Sequence, residues 1–144
     1  MKAKIDLFIS DFFQRVKENS EEIPSFTRIY EADKMLVESF NSTTKDDSFI
    51  QHSEIISIRK VNCEKKYLDS SILLTSLEPC IMCAGAIIKA RIETVIYFAE
   101  AKPNEGISSL LPDFIYSLNY FPKIIFHKEA KIQDLFRSFF SIKR

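Results

Sequence analysis

The sequence contains little glycine and carries no net charge. Of its 144 residues only Gly85 and Gly106 are glycine, and the formal net charge is zero. A glycine-rich phosphate-binding loop is therefore excluded, because such a loop needs several glycines close together. The charge balance argues against a protein that coats nucleic acid, although it leaves room for a local basic patch. Three cysteines, an odd number, fit a disulfide framework badly and favour metal or thiol chemistry.

Long apolar runs are also absent. No stretch approaches the eighteen or so consecutive apolar residues of a membrane span, so we expect no membrane contact. Asp6 and Asp11 interrupt the apolar residues near the N-terminus, which argues against a signal peptide and favours a cytoplasmic protein. The length, with 46% hydrophobic and 28% charged residues, predicts one domain covering residues 1–144.

Hydrophobic periodicity predicts helices that alternate with strands. Apolar residues recur at helical spacing near both ends of the chain, and SILLTS is a continuous apolar run typical of a buried strand. Strands that alternate with helices predict an α/β sheet covered on both faces. The predicted elements are helix 3–18, strands 26–31 and 34–40, a helix from residue 53, strand 71–76, helix 80–90, strand 93–99, a short helix within 107–120, strand 123–127 and a C-terminal helix around 132–140.

The segment TSLEPCIMCAGA places Cys80 and Cys83 three residues apart, at the predicted start of a helix. A redox pair would need a thioredoxin-like setting, which one preceding proline does not supply. A structural Cys3His zinc site would have to add both His52 and Cys63. One helix over residues 53–63 would separate these two by roughly 16 Å, too far for one ion. We therefore expect Cys63 to pack as a small, partly buried apolar residue.

Three candidate metal ligands remain: His52, Cys80 and Cys83. Three protein ligands with an open fourth position are the arrangement of catalytic zinc. Glu54 follows His52 by two residues, so its carboxylate could move protons beside the metal. An isolated acid in the first turn of a helix is usually only solvated there, but the combination with the metal motif favours the catalytic interpretation. His127 has no such neighbours and is expected to be structural.

The combination His52-Ser53-Glu54 with Pro79-Cys80-Ile81-Met82-Cys83 matches the H-x-E…P-C-x-x-C signature of zinc-dependent base deaminases. Within that superfamily the chain most resembles the bacterial tRNA adenosine deaminases, most densely over residues 75–86. The resemblance implies a three-layer α/β/α sandwich around a five-stranded mixed sheet, as in the cytidine deaminase-like fold. It also implies one Zn²⁺ per chain, held by the His52, Cys80 and Cys83 side chains, with Glu54 as the proton shuttle.

The same resemblance implies the substrate contacts. Asn41 stands where the family has an asparagine that hydrogen-bonds the nucleoside, and the backbone amide near Ser53 would frame the base. The final helix, with Lys143 and Arg144, would help to grip the anticodon arm of a tRNA, and the family forms homodimers. Phe26 replaces a small residue at the expected floor of the base pocket, where it would narrow the pocket or stack on the base. The loop Ser48–Gln51 also departs from the family pattern.

Three functions fit these features. The first is conversion of adenosine to inosine at the tRNA wobble position. The second is deamination of a free base, nucleoside or nucleotide of guanine, cytosine or cytidine type, which would use the same zinc site. The third is a zinc-stabilised binding module that has lost catalysis. Glu54 argues against the third, because a module without catalysis has little need of that carboxylate.

Overall fold

The helices and strands follow the predicted order. The computed structural model describes residues 1–18, 21–44, 46 and 48–143. Arg144 and the side chain of Lys143, which were expected to contact the anticodon arm, lie outside this description. The elements are α1 (Lys2–Glu18), β1 (Phe26–Glu31), β2 (Lys34–Phe40), α2 (Ser53–Asn62), β3 (Ser71–Leu77), α3 (Ile81–Ala90), β4 (Thr94–Ala99), a 3-10 turn (Ile107–Ser109), α4 (Pro112–Ser117), β5 (Lys123–Phe126) and α5 (Ala130–Lys143).

The five strands form one mixed sheet in the order β2-β1-β3-β4-β5. Strand β1 pairs antiparallel with both β2 and β3, whereas β3, β4 and β5 run parallel. The β1–β2 hairpin turns at Ala32–Asp33, with Ala32 in the left-handed region at φ 54°. The C-terminal end of β3 therefore lies beside the N-terminal end of β1. The candidate site forms at this end of the two strands.

Helices cover both faces of the sheet, which confirms the three-layer α/β/α sandwich. One hydrophobic core joins the sheet to α1 and α5 and includes Phe8, Phe26 and Phe136. The other joins the sheet to α2 and α3 and includes Ile58 and Ile87. Because successive side chains of a strand point to opposite faces, each buried strand supplies residues to both cores. Burial of this apolar surface is the main favourable term in the stability of the sandwich.

Cys63 was predicted to be partly buried, and this prediction is wrong. The residue follows the last turn of α2, and its side chain is exposed. Its thiol donates a hydrogen bond to the carbonyl oxygen of Arg59, 3.4 Å away, one turn earlier in the chain. The apolar stripe of α2 ends with Val61, so the helix turns Cys63 away from the core.

No helix in the described part of the chain is both long enough and apolar enough to cross a membrane.

Candidate metal centre and its acid–base residue

The two motif halves lie at the N-termini of adjacent helices. His52 immediately precedes α2 and Cys80 immediately precedes α3, both with extended backbone, and neither side chain caps a backbone N–H of its own helix. Both side chains are therefore free to turn toward each other across the end of β3. The Nδ1 atom of His52 lies 3.6 Å from Cys80 Sγ and 3.5 Å from Cys83 Sγ. Among the described residues, His52, Cys80 and Cys83 form a cluster with ligand atoms within 4.8 Å of one another.

These separations fit a tetrahedral zinc ion. Zinc–nitrogen and zinc–sulfur bonds of about 2.1 and 2.3 Å at a tetrahedral angle place the two ligand atoms about 3.6 Å apart. The two nitrogen–sulfur distances in the structure, 3.6 and 3.5 Å, match that value. The cluster is thus already arranged as a tripod, and one imidazole with two thiols is a donor set that zinc prefers.

The protonation of the cluster also suits a cation. Hydrogen bonds from the Cys83 thiol and from His52 together lower the pKa of Cys80 to about 4. The same contact with Cys80, together with burial, raises the pKa of Cys83. Of the two thiols, Cys80 therefore gives up its proton more readily, and Cys83 keeps its own more firmly. A divalent cation that binds both sulfur atoms displaces that proton, because a coordinating thiol is deprotonated outright.

The His52 imidazole has a second partner that fixes its orientation. The hydrogen bond to Cys80 raises the pKa of His52, and a hydrogen bond to the backbone carbonyl of Phe49 acts in the same direction. A metal-binding histidine commonly donates its other ring nitrogen to such a carbonyl, which orients the ring. The loop before α2 therefore contributes its backbone to the site, while the Phe49 side chain is 95% exposed.

Glu54 lies beside the ligand cluster rather than in solvent. Its side chain is 4% exposed, and its carboxylate contacts Cys83, whose pKa it raises. The carboxylate oxygen Oε1 accepts a hydrogen bond from Ser53 Oγ at 2.7 Å. The hydroxyls of Ser25 and Thr27 also lie 3.3 and 3.4 Å from Oε1. A buried carboxylate next to metal ligands, held by hydroxyl groups, can take up and release protons at the metal.

The expectation that Phe26 forms the floor of a base pocket is wrong. Phe26 points to the opposite face of the sheet, where its ring stacks on Phe8 of α1 at 5.1 Å between centroids. The Arg28 guanidinium lies 5.2 Å from the Phe26 ring centroid on that same face. The next residue, Thr27, faces α2 and the ligand cluster instead. Alternation along β1 places Phe26 away from the site.

The structure brings the other predicted site residues to the same edge of the sheet. Ser53 is the first residue of α2 and is fully buried, and its hydroxyl contacts Glu54. Its backbone amide is the one predicted to frame the base. Asn41 is buried after β2, and its backbone N–H donates to the carbonyl oxygen of Ser25 at 2.9 Å. Its side-chain nitrogen donates to Thr43 Oγ1 at 3.0 Å. His127 lies at the end of β5, with its ring edge against Phe98.

Sequence reasoning missed Ser25 and Thr27. Their hydroxyl oxygens each lie 2.7 Å from Ser53 Oγ, although both residues precede Ser53 by more than twenty positions in the chain. The available signal was the alternation in FTRIYE, which places Thr27 and Ile29 on one face of β1. A small polar residue in a buried strand needs a partner, and α2 supplies it.

Glu78 fastens the loop after β4 to the metal motif. Its carboxylate accepts hydrogen bonds from the backbone N–H groups of Ala101 and Ser108, at 3.2 and 2.8 Å, and from the Ser108 hydroxyl at 2.5 Å. The backbone of the same loop also bonds to the motif, because the Ile107 N–H donates to the carbonyl oxygen of Pro79 at 2.9 Å. Gly106 lies directly against the Glu78 carboxylate.

Gly106→Ala is therefore expected to lower the free energy of unfolding by about 1–3 kcal/mol, as overpacking usually does. The added Cβ would overlap with the Glu78 carboxylate, and three hydrogen bonds hold that carboxylate in place. Urea titration of both alanine variants is the measurement, with Gly85→Ala as the matched control. Gly85 lies in α3 with nothing within 4 Å of an added Cβ. Equal stabilities for the two variants would contradict this account of Gly106.

An α/β/α sandwich with a His–Cys–Cys tripod at two helix N-termini is a zinc protein with a metal site of the catalytic type. The chain belongs to the family described as the cytidine and deoxycytidylate deaminase zinc-binding region, whose model matches residues 15–99. Zinc is therefore the metal of this protein. The His52, Cys80 and Cys83 side chains are the described groups arranged to hold it.

Relatives and solved structures agree with this family. The chain is 34% identical over 92 residues to the tRNA-specific adenosine deaminase of Streptococcus pyogenes serotype M1, covering 62% of this chain and 53% of that relative. The chain thus spans about half the length of this curated relative. A structure from studies of A-to-I editing by tRNA:A34 deaminases superposes with a TM-score of 0.66 at 26% identity, covering 78% and 89% of the two chains. Guanine deaminase from Bacillus subtilis superposes with a TM-score of 0.57 at 27% identity, covering 93% and 92%.

Proposed function

We propose that this protein is a hydrolytic deaminase that converts adenosine to inosine at the wobble position of a tRNA. The observation that carries the proposal is the buried Glu54 carboxylate beside the His52, Cys80 and Cys83 tripod. The relative named tRNA-specific adenosine deaminase and the tRNA:A34 deaminase structure support adenosine in tRNA as the substrate. We further propose that residues 1–144 act as one deaminase domain in the cytoplasm.

In the proposed reaction adenosine and water give inosine and ammonia. The His52, Cys80 and Cys83 side chains would hold the zinc ion, which would supply a Lewis acid that lowers the pKa of a water molecule toward neutral pH. The Glu54 carboxylate would accept one proton of that water and deliver it to the adenine ring nitrogen. It would then take the second proton from the oxygen now bonded to C6 and deliver it to the amino group, which leaves as ammonia. The burial of Glu54 keeps its protons on this path. Asn41 and the backbone amide of Ser53 are the proposed contacts to the nucleoside.

A cavity of about 490 Å³ supports binding of a larger substrate beyond the metal site. It lies between the end of β3, the loop after β4 and α5, and the partly exposed Phe140 supplies an apolar surface on which a base could stack. Lys102 and Arg137 line the same cavity and can meet phosphates. We assign this cavity to the anticodon arm.

We also propose a homodimer. Ile81 and Met82 begin α3 next to the ligand cluster, and they are 49% and 38% exposed. A second copy that covers them would remove apolar surface from water and wall the site. Light scattering on the purified protein measures this directly, and a monomer at all accessible concentrations would contradict it.

Inosine formation on an anticodon stem-loop with adenosine at the wobble position is the decisive assay. The zinc-loaded protein is expected to convert this RNA, and Glu54→Ala is expected to leave it unchanged. Liquid chromatography of the digested RNA measures inosine directly. Protein that is shown to hold zinc and still produces no inosine would contradict the tRNA proposal.

A free base is the second candidate substrate. The guanine deaminase structure aligns with nearly the whole of both chains, which favours this candidate. The same assay format with free guanine, cytosine and cytidine separates the two functions. Ammonia release from a free base, without inosine in the stem-loop, would assign the protein to this second class.

A further inference from the structure

A set of hydroxyl groups converges on one oxygen of Glu54. The set comprises Ser25, Thr27 and Ser53, and we call it the hydroxyl cluster. Ser53 Oγ lies 2.7 Å from Ser25 Oγ, 2.7 Å from Thr27 Oγ1 and 2.7 Å from Glu54 Oε1. We propose that the hydroxyl cluster is a directed hydrogen-bond relay that holds Glu54 Oε1 in one orientation, with Ser53 as its central positioning residue. The proposal rests on the function proposed above for Glu54.

Proton counting gives the relay its direction. A serine hydroxyl has one proton to donate and two lone pairs to accept. Glu54 Oε1 as a carboxylate oxygen can only accept, so the single Ser53 proton points to Oε1 at 2.7 Å. The two lone pairs of Ser53 then receive the protons of Ser25 and Thr27, both also at 2.7 Å. All three distances are the usual length of a good O–H···O bond.

The longer contacts of the cluster are secondary. Ser25 and Thr27 also lie 3.3 and 3.4 Å from Glu54 Oε1, beyond the usual O–H···O range. Each hydroxyl has one proton, and Ser53 offers it the shortest bond. For Thr27 this bond of 2.7 Å is also shorter than its contact with Thr75 Oγ1 at 3.1 Å. The influence of Ser25 and Thr27 on Glu54 therefore passes through Ser53, and a bond to a carboxylate is among the stronger hydrogen bonds in proteins.

Burial makes the relay effective. Ser53 and Thr27 are fully buried, and Ser25 and Glu54 are 7% and 4% exposed. Water cannot readily replace a lost hydroxyl at such a position, and hydrogen bonds in a chain strengthen one another where the dielectric is low. The cluster also joins two elements, since Thr27 belongs to β1 whereas Ser53 and Glu54 begin α2. The sheet thus sets the direction of the catalytic carboxylate.

The chain contains a matched control for Ser53. Ser57 lies one turn further along α2 and is equally buried, but its hydroxyl has no hydrogen-bond partner among the described residues. Ser57→Ala removes the same atom from the same helix without touching the relay. Thr27 offers a second pair of variants, because Thr27→Val removes the hydroxyl and keeps the shape, whereas Thr27→Ser keeps the hydroxyl.

The first measurement is steady-state kinetics of the zinc-loaded variants on the stem-loop. We expect Ser53→Ala to lower kcat about tenfold with KM changed by less than about twofold, the scale of a lost hydrogen bond to a charged group. Thr27→Val should lower kcat by about threefold, because its effect on Glu54 passes through Ser53. Thr27→Ser keeps the hydroxyl and should have the wild-type kcat. Ser57→Ala should keep the wild-type kcat. A Ser53→Ala protein with wild-type kcat would overturn the proposal.

The second measurement does not depend on activity. In zinc-loaded protein labelled with ¹³C at the glutamate carboxyl carbon, the NMR signal missing from Glu54→Gln identifies Glu54. We expect Ser53→Ala and Thr27→Val to move that signal, whereas Ser57→Ala leaves it in place. An unmoved signal in both relay variants would refute the relay. If Ser53→Ala does not fold, the comparison of Thr27→Val with Thr27→Ser tests the relay in its place. If the wild type is inactive, the proposed function fails, but the NMR comparison still tests the relay.

Discussion

Glu54→Ala is expected to lower kcat for inosine formation by about a thousandfold, within the range that general acid–base catalysis contributes. In the proposed reaction both protons of the attacking water pass through Glu54, the carboxylate that contacts the ligand cluster. The side chain lies outside the tripod formed by His52, Cys80 and Cys83. Zinc stoichiometry should therefore stay at one ion per chain while turnover is lost.

The test needs both kinetics and metal analysis on the same preparations. Glu54→Gln is the closer variant, because its amide can still accept the hydrogen bond from Ser53 but cannot carry a proton. Glu64→Ala removes an exposed acid just after α2 and should keep wild-type turnover. Retention of more than a tenth of wild-type kcat in both Glu54 variants would rule out the proton-shuttle role. Loss of zinc from them would show instead that Glu54 supports the metal.

Cys80→Ala should lose zinc and stability together. Two ligands then remain in place of three, and the metal binds only the folded protein well, so its binding adds to the free energy of unfolding. If the affinity for zinc falls about a thousandfold, the stabilisation lost at a fixed zinc concentration approaches about 4 kcal/mol. The melting temperature of Cys80→Ala should consequently become insensitive to added zinc or to a chelator, whereas that of the wild type depends on both.

Cys63→Ala is the matched control for this experiment. It removes a cysteine that is exposed and lies outside the ligand cluster. Zinc content by atomic absorption and thermal unfolding with and without chelator should both equal the wild type. Full zinc stoichiometry in Cys80→Ala would contradict the ligand assignment. A loss of zinc in Cys63→Ala would revive the four-ligand structural site that the helix geometry argues against.

The order of the elements could be predicted because each has a clear period. The spacing of Phe8 and Phe12 follows a helix, and the run from Ser71 to Ser76 is apolar enough to require burial. The metal cluster could be predicted for a different reason. Its residues are chemically rare, and their spacing places them at helix starts, so few other arrangements satisfy both the chemistry and the fold.

The remaining features depend on tertiary contacts that the sequence pattern does not encode. The resemblance to the family predicts that Phe26 lies at the floor of a base pocket. The alternation of side chains along β1 instead places its ring on the opposite face of the sheet. An arginine is usually expected at the surface. Arg28 is nevertheless 4% exposed and forms ion pairs with Asp11 and Glu38 beneath α1. The role of Ser53 emerges only when β1 lies beside α2, because a buried serine and an exposed serine are identical in the sequence.

Alternate side chains of β1 have different roles, because those on one face pack in the fold and those on the other face lie at the candidate site. Phe26 and Arg28 face α1 and hold the sandwich together, while Thr27 between them faces Glu54. A lineage that no longer needed deamination could change Thr27 and keep its neighbours, with little loss of architecture. A shift of the strand by one residue would exchange the two faces and destroy both at once. Evolution can thus alter the activity through β1 by substitution, but hardly by insertion or deletion.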